Sequence, residues 1–459
     1  MEKSKRSIWH IVLPSLLTAV LVGVAFWGMQ QSALAKEYKT AATAMYTRAF
    51  TELTDTVNNL HTALGKLRVA ASPSQYVLLL DDVWRLSGAG VSLMAEVPSS
   101  HIDTAELNSF VVRLGDYAHA LTKKAVRGIP MTEEEQQQLD ALYETSGRIA
   151  DALNERLLIG DIPVAAVTGD GYYTSSYGTE DAETTANGEN AGDEGYKEQE
   201  GIEGFPTLIY DGPFSESAEK QEPQGLSGRE LSEEEAMEQA KRYASADTLE
   251  SSGFSDGAIP SYEFHGVYED GREVDVSVTK QGGALLSLMS ASVGGAEGVP
   301  EKAEAEKLQD AAEAFLERHG YDDMEATYAQ YYGGAAVINF AAEQDDVILY
   351  SDLIKVWVDR ETHQVIGADA RNYCFSHRER QLPQPQISMA EAESMLSSNL
   401  KVLSRELALI PVTPQTEKLC YEFKGTCGEE EYIVYINVEN GEEEQIFRIL
   451  NNEDGQLVV

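Results

Sequence analysis

Apolar residues near the amino terminus form one uninterrupted stretch, IWHIVLPSLLTAVLVGVAFW, which runs from Ile8 to Trp27. The stretch is apolar on every side for about 20 residues, the length that a helix needs to cross a bilayer. Basic residues precede it, and positive charge beside a first span holds that end in the cytoplasm. Trp9 and Trp27 lie near its two ends, where indole rings favour the membrane interface. The pattern predicts a single-pass membrane helix with a cytoplasmic amino terminus and an extracytoplasmic body.

A cleaved signal peptide is the alternative interpretation of this stretch. Ala33-Leu34-Ala35 has the small-residue pattern of a cleavage site. The apolar core before it is longer than the roughly 7–15 residues of a signal peptide, which favours an uncleaved anchor over cleavage after Ala35. A buried helix of a soluble protein is the third alternative. Both leading interpretations export the rest of the chain.

Apolar residues then recur at gaps of four and three residues from Glu37 to about Leu158, which predicts a helical region. Such gaps form the seam of a coiled coil or bundle helix, and core packing is the simplest role of these stripes. Thr132 followed by Glu135 fits a capping box at the start of the last helix. Four such helices predict an antiparallel bundle or two stacked hairpins. The seam positions are Tyr46, Phe50, Leu53, Val57, Leu60, Leu64, Leu67, Leu107, Val111, Leu114, Ala118, Leu121, Leu139, Leu142, Ser146, Ile149 and Leu153.

The composition changes abruptly between Thr168 and Glu203. Acidic residues in this segment are set against one basic residue, Lys197, and Gly, Ser, Thr and Asn fill most other places. Such a segment cannot bury enough apolar surface to offset the entropy lost on ordering. We therefore expect a disordered linker between two folded parts.

An aromatic run, FPTLIYDGPFSE, follows the linker from Phe205 to Glu216 and contains an Asp-Gly-Pro turn. It is interpreted either as a short strand that opens the next domain or as a segment that docks on a folded surface. Its distinctive residues are the candidate binding residues of the chain. They are Phe205, Pro206, Tyr210, Asp211, Gly212, Pro213 and Phe214.

The C-terminal half has the pattern of a threefold repeat, in which a helix precedes alternating strands. Ser232 with Glu235 and Ser388 with Glu391 predict two capping boxes, and Pro300 opens the alanine- and glutamate-rich helix of the middle unit. Asp-Gly, Gly-Gly and Asn-Gly pairs between alternating runs are strong hairpin signals. The predicted strands are 261–268, 273–279 and 284–289, then 335–341, 353–359 and 364–370, then 418–423, 431–438 and 444–450.

These patterns predict an α+β multidomain protein with a membrane helix, a helical bundle and three modules that each pair one helix with an antiparallel hairpin sheet. The boundaries that we assign are 1–36 for the anchor or signal-like segment, 37–160 for the bundle, 161–203 for the acidic linker, 204–230 for the FPTLIYDGPFSE connector, and 231–298, 299–380 and 385–459 for the three modules.

Composition narrows the function further. The 459 residues include 77 acidic and 35 basic side chains, a formal net charge of −42. A protein this acidic repels nucleic acid, so we do not expect it to bind DNA or RNA. The simplest role of the charge is to keep an exported protein soluble. Three cysteines, Cys374, Cys420 and Cys427, do not describe a disulfide scaffold. A disulfide between Cys420 and Cys427 is conceivable, but free, buried thiols are the better interpretation of three sparse cysteines.

Together these features resemble the YpeB family of sporulation and spore-germination proteins. The resemblance covers nearly the whole chain and includes YTRAFTELTDTVNNLHTALGK (Tyr46 to Lys66), LGDYAHAL (Leu114 to Leu121) and PMTEEEQQQLDALYETS (Pro130 to Ser146). FPTLIYDGPFSE is the most specific motif, and the three repeats look like PepSY domains. The acidic segment departs from the family pattern because it is longer and more polar than the usual connection.

The resemblance implies a non-enzymatic partner of the cortex-lytic enzyme SleB, a peptidoglycan lytic transglycosylase, at the inner membrane of the spore or cell. In the family each protein depends on the other for its presence in the dormant spore. The family is thought to hold the lytic enzyme stable or inactive until germination, when the holder is degraded. No catalytic residue, metal or cofactor is carried over from it.

The chain has no H-E-x-x-H motif and no phosphate-binding glycine loop. His61 and His119 fall beside core positions, where packed or surface histidines are more common than metal ligands. The alternative function is a cell-wall hydrolase that acts directly on peptidoglycan with two carboxylates about 5–10 Å apart. Abundant acids supply such pairs by chance, so acid content does not favour it.

We expect a protease to cut the exported protein first between Thr168 and Glu203, because exposed disordered segments are the usual sites of nicking. Limited proteolysis with mass mapping of the fragments checks this. First cuts within residues 231–459 would contradict the predicted linker.

Overall fold

The computed structural model describes residues 3–97, 104–158, 223–246, 248–291, 298–332, 334–413, 416–452 and 455–459. Contacts divide the chain into two compact units, Met1–Leu64 with Val77–Thr185, and Gly65–Tyr76 with Ala186–Val459. The first unit is helical and the second is α+β. The predicted acidic linker and the FPTLIYDGPFSE run lie outside the described residues.

The first helix, α1 (Lys3–Val69), is continuous through the apolar stretch. It is long and apolar enough at its amino-terminal end to span a membrane. The side chains of Leu17, Leu21 and Trp27 are 56%, 63% and 63% exposed. Unpacked apolar side chains on one helix are what lipid contact requires.

Three further helices complete the helical region: α2 (Pro73–Met94), α3 (Thr104–Ala125) and α4 (Glu133–Leu158). All four contribute to one core, where Phe50 and Val57 of α1 meet Met94, Val111 and Leu153. Most of the predicted seam residues are therefore core positions, and Tyr46, Leu142 and Ile149 are partly buried. The capping box of α4 is also confirmed, because the amide of Glu135 donates to the Thr132 hydroxyl at 3.2 Å and the Glu135 carboxylate accepts from the Thr132 amide at 2.9 Å.

The second unit combines short helices with long antiparallel strands. Its described helices are α5 (Glu233–Ala244), α6 (Lys302–Arg318), α7 (Arg371–Ser376) and α8 (Met389–Ser394). Its described strands are β1 (Leu249–Ser255), β2 (Ser261–Val267), β3 (Glu273–Thr279), β4 (Leu285–Ser290), β5 (Met324–Tyr332), β6 (Ala335–Gln344), β7 (Val347–Asp359), β8 (Val365–Asp369), β9 (Lys401–Thr413), β10 (Thr416–Cys427), β11 (Glu430–Asn437), β12 (Glu443–Asn452) and β13 (Gly455–Val458).

These strands form one sheet in the order β1-β2-β3-β4-β8-β7-β6-β5-β13-β12-β11-β10-β9. The order consists of three meanders joined edge to edge, through β4–β8 and β5–β13. Both predicted capping boxes, at Ser232 and Ser388, are present. The sequence patterns did not predict the first strand after α5, α6 and α8. These strands are β1, β5 and β9. Because the meanders share one sheet, the division into three separate modules stays a prediction.

The last strand of this order turns back onto the sheet. Residues 347–349 of β7 pair in parallel with residues 407–409 of β9, so the eight strands from β7 through β13 to β9 close into a ring. One hydrophobic core draws side chains from around this ring, including Leu353, Ala408, Tyr435 and Phe447. A second core packs α5 and α6 against β1–β8 and includes Phe315 of α6 and Phe264 of β2. Helices thus cover one part of the sheet, and ring closure buries another.

A buried ion pair joins the chain after α7 to the ring. The register of β6 and β7 shifts opposite residues 350–352, and this bulge carries Asp352, which is 0% exposed. The Arg380 guanidinium donates to both carboxylate oxygens of Asp352 at 2.8 and 2.7 Å, and to Glu417 of β10 at 2.9 and 2.8 Å. Burial acts to raise the pKa of Glu417, but the hydrogen bonds and charge of Arg380, together with Ser351 and the charge of Arg378, outweigh it and hold the pKa below its usual value. We call Asp352, Arg380 and Glu417 the arginine hub.

A second buried carboxylate binds the turn between α1 and α2. Glu443 is 4% exposed and accepts the backbone N–H groups of Ala71 at 3.0 Å and Ser72 at 2.9 Å. The Gln75 side chain donates to the carbonyl oxygens of Glu443 and Glu444 at 2.8 and 2.9 Å. Burial raises the pKa of Glu443, which the bonds from Ser72 and Ala71 only partly offset. Residues 65–76 are thus an integral part of the second unit.

We expect Arg380→Met to lower the free energy of unfolding of the second unit by about 3–5 kcal/mol, because the buried carboxylate of Asp352 loses its guanidinium partner and Glu417 keeps only Arg378. Chemical denaturation followed by circular dichroism measures this loss. The lowered pKa of Glu417 means that its contribution is present above about pH 4.3 and is lost as the pH falls through the lowered pKa.

The matched control for the arginine hub is Arg405→Met. Its partner is Glu393, and both side chains are partly exposed, at 40% and 34%. Solvent screens such a pair, so little change is expected. Equal losses in the two variants would show that the hub does not stabilise the ring. A triple variant, Arg380→Met with Asp352→Asn and Glu417→Gln, should recover part of the loss, because no uncompensated charge remains.

We expect Glu443→Ala to speed amide hydrogen exchange in residues 65–76, since the Ala71 and Ser72 amides lose their acceptor at a cost of about 1–3 kcal/mol. Exchange measured by mass spectrometry on peptic fragments checks this. Glu443→Gln should keep more protection because its carbonyl oxygen still accepts, and exposed Glu442→Ala is the neighbouring control. Unchanged exchange in Glu443→Ala would contradict the role of this carboxylate.

Candidate interaction surface

The binding residues predicted from the sequence lie outside the described part of the chain. These are the residues of the FPTLIYDGPFSE run, Phe205, Pro206, Tyr210, Asp211, Gly212, Pro213 and Phe214, and their predicted role stays a prediction. Ile8 and Trp9 belong to α1, and their side chains are also outside the described part. Trp27 is on α1 with an exposed side chain.

Among the described strands, β1 is the one that pairs with a neighbour on a single side only. The strand order begins with β1 and ends with β9, and residues 407–409 of β9 pair with β7. β1 pairs with β2 on one side, and no described strand pairs with its other side. An open strand edge presents a row of N–H and C=O groups that another extended chain can bind.

β1 is short and almost entirely exposed. Leu249 is buried at its start, and the following residues through Ser255 are exposed. The register against β2 shifts between Ser251 and Gly253, a bulge that divides the edge into two short regular stretches. At its far end, the half-exposed Phe254 ring lies 5.2 Å from the Tyr262 ring. The sequence LESSGFS gave little strand signal because only one of its side chains is buried.

The two faces beside this edge differ in character. Phe254 pairs with Tyr262 on the face that contains the core residue Phe264. Glu250 pairs with His265, which pairs with Asp275, so these three side chains form a row on the opposite face.

The polar row is acidic and internally bonded. The imidazole Nδ1 of His265 lies 2.9 Å from an oxygen of Asp275, and this hydrogen bond raises the pKa of His265. Next to the row, Glu263 accepts hydrogen bonds from the hydroxyl groups of Ser261, at 2.7 Å, and Ser277. The surface beside the open edge therefore carries more negative than positive charge.

Three histidines of the described residues stack on aromatic rings. His377 lies 3.0 Å from Asp352, but this carboxylate belongs to the arginine hub, and the imidazole stacks on Tyr373 at 4.1 Å between ring centroids. His61 stacks on Tyr143 at 4.3 Å, and His119 on Trp84 at 4.9 Å, as the packing interpretation predicts.

The thiols and metal-binding side chains give no site in the described residues. All three cysteines are buried and none forms a disulfide. Burial raises the pKa of Cys374 to about 12, which keeps its thiol protonated at neutral pH. No group of three or more His, Cys, Asp and Glu side chains in this part of the chain could hold a metal ion.

Two family models match the chain. The model described as YpeB N-terminal matches residues 34–157, and the model described as YpeB sporulation, PepSY1 and PepSY2 domains matches residues 197–383. The second match includes α5, α6 and β1–β8.

Curated relatives match along nearly the whole length. The sporulation protein YpeB of Bacillus subtilis is 26% identical over 96% of this chain and 98% of its own. The protein of the same name from Halalkalibacterium halodurans is 25% identical over 95% of this chain and 96% of its own. The solved Bacillus megaterium YpeB C-terminal domain is 27% identical, covers 49% of this chain and 100% of its own, and gives a TM-score of 0.44. The chain belongs to the YpeB family of sporulation proteins.

Proposed function

We propose that the protein is a non-enzymatic, membrane-tethered component of the spore envelope that stabilises, localises or restrains a cortex-lytic enzyme of the SleB type. Its target process is degradation of the peptidoglycan cortex during germination. The observation that carries the proposal is membership of a sporulation family along nearly the whole chain, combined with an amino-terminal helix apolar enough to span a membrane.

The apolar helix supports a tethering role. Basic residues before it favour a cytoplasmic amino terminus, which leaves the sheet of the second unit outside the cytoplasm. We place the helix in the inner membrane of the spore. If this protein and its partner are both held at one membrane, the effective concentration of the partner near this protein is high. Contacts of modest affinity are then enough to keep the two proteins bound.

The sheet supports a holding role. Two PepSY domains fall within residues 197–383, and we propose that residues 385–459 form a third such module, with α8 followed by the meander from β9. Long antiparallel strands with an open edge at β1 are suited to protein binding by strand addition.

Direct hydrolysis of peptidoglycan is the competing hypothesis. It requires an acid and a second carboxylate about 5–10 Å apart, in a site open to a glycan strand. Asp352 and Glu417 are adjacent carboxylates, but Asp352 is fully buried, the Glu417 side chain is only 16% exposed, and both bind Arg380. Their arrangement supports the structural role of the arginine hub rather than acid–base catalysis.

We expect deletion of Ser232–Val459 to remove the lytic enzyme from dormant spores, because the proposed holding surface is lost. Immunoblots of spore membranes would follow both the enzyme and the truncated, epitope-tagged anchor. A full-length tagged chain is the control, and the anchor must remain detectable for the comparison to count. Normal enzyme levels beside a stable anchor would contradict the proposal.

Purified protein incubated with isolated cortex separates the two hypotheses directly. Release of muropeptides by the protein without its partner would overturn the non-enzymatic assignment and favour the hydrolase.

A further inference from the structure

We propose that the open edge of β1 binds an extended, basic segment of the partner enzyme by strand addition. This inference rests on the proposed function and assigns it to a surface. The partner segment would continue the sheet beyond β1, and its side chains would point alternately to the two faces of the sheet.

The topology singles out β1 for this role. In the described part of the sheet, the other end of the strand order is closed at its middle by the parallel pairing of residues 407–409 of β9 with β7, whereas β1 has no partner strand on its outer side. Backbone groups on the outer side of β1 can then form a ladder with a partner strand, as in other cases of strand addition. The bulge between Ser251 and Gly253 shortens each regular stretch, so the added strand gains few ladder bonds. Membrane tethering compensates for such weak contacts.

Side chains beside the edge indicate the chemistry of the segment. On one face an added strand would lie next to Glu250 and the row that continues to Asp275, which favours Lys or Arg at alternate positions. On the other face it would lie next to Phe254, which is 49% exposed and packs on Tyr262. An apolar or aromatic side chain fits between the basic ones there.

Charge also decides between a partner enzyme and a second copy of this chain. Each copy carries a formal net charge of −42, and pairing β1 with β1 would bring two acidic rows together. Like charges opposed across strands are destabilising, and net charge of this size favours the monomer. A basic segment of a different protein is attracted to the acidic row, whereas a second copy of this chain is repelled by it.

Two adjacent proline variants of the full-length, detergent-solubilised protein test the edge. Neighbouring N–H groups of a strand point to opposite edges, so one of Glu250→Pro and Ser251→Pro removes an outward donor while the other breaks a bond to β2. Thermal unfolding distinguishes the two variants, because only the proline that breaks a bond to β2 should lower the melting temperature. We expect the variant with an unchanged melting temperature to bind the purified lytic enzyme at least tenfold more weakly than the wild type.

The charge is tested by Glu250→Lys, which keeps the backbone intact should both proline variants unfold. We expect at least tenfold weaker binding at low salt and a smaller difference at high salt, since screening weakens the attraction. Asp310→Lys is the matched control, because Asp310 is an exposed acid on α6, away from this edge. It should bind as the wild type does.

The outcomes separate this inference from the function on which it rests. Wild-type protein that binds the enzyme, together with a folded proline variant and Glu250→Lys that bind equally well, would retain the holding function and overturn the assignment to β1. Wild-type protein that does not bind the enzyme would overturn both. Self-association of the wild type that the folded proline variant abolishes would assign the edge to a second copy and overturn the inference.

Discussion

The pairing of the Arg380 guanidinium with the buried Asp352 and the partly buried Glu417 joins separate parts of the second unit. Arg380 lies beyond α7 and binds Asp352 on β7 and Glu417 on β10, two strands that belong to the closed ring but do not pair with each other. An arginine suits this position because its planar fork of donors can satisfy two carboxylates at once. Burying three charges is costly, and the arrangement is stable only because each is paired. The hub therefore makes the route of the chain after α7 depend on the correct closure of the ring.

Much of the fold follows from local sequence patterns. The alternation in EVDVSVT gives β3, whose buried residues occupy every second position, and glycine-containing turns mark the hairpins around it. Ser232 and Ser388 mark helix starts because a capping box is a local arrangement of four residues. Gaps of four and three residues identify Phe50 and Leu53 as core positions for the same reason.

The missed features depend on contacts that are distant in the sequence. β1 has a single buried side chain, so its sequence carries almost no alternation, and its pairing with β2 defines it. The partners in the arginine hub are separated by 28 and 37 residues, and no spacing rule connects them. The closure of β9 on β7 is likewise a parallel pairing between separate meanders. The pairings of β4 with β8 and of β5 with β13, which join the meanders into one sheet, are also contacts that no local pattern predicts.

The attachment of residues 65–76 to the second unit has a consequence for how the protein could come apart. Hydrogen bonds between Glu443 and the turn after α1, including one from the Gln75 side chain, join this turn to β12. Gln75 and Glu443 are 368 residues apart in the sequence. A single break in the backbone between the two units would leave a two-chain complex rather than two independent fragments. The severed carboxyl-terminal portion would stay bound to the amino-terminal chain until these hydrogen bonds also dissociated, so its departure would be governed by an off-rate as well as by the cut.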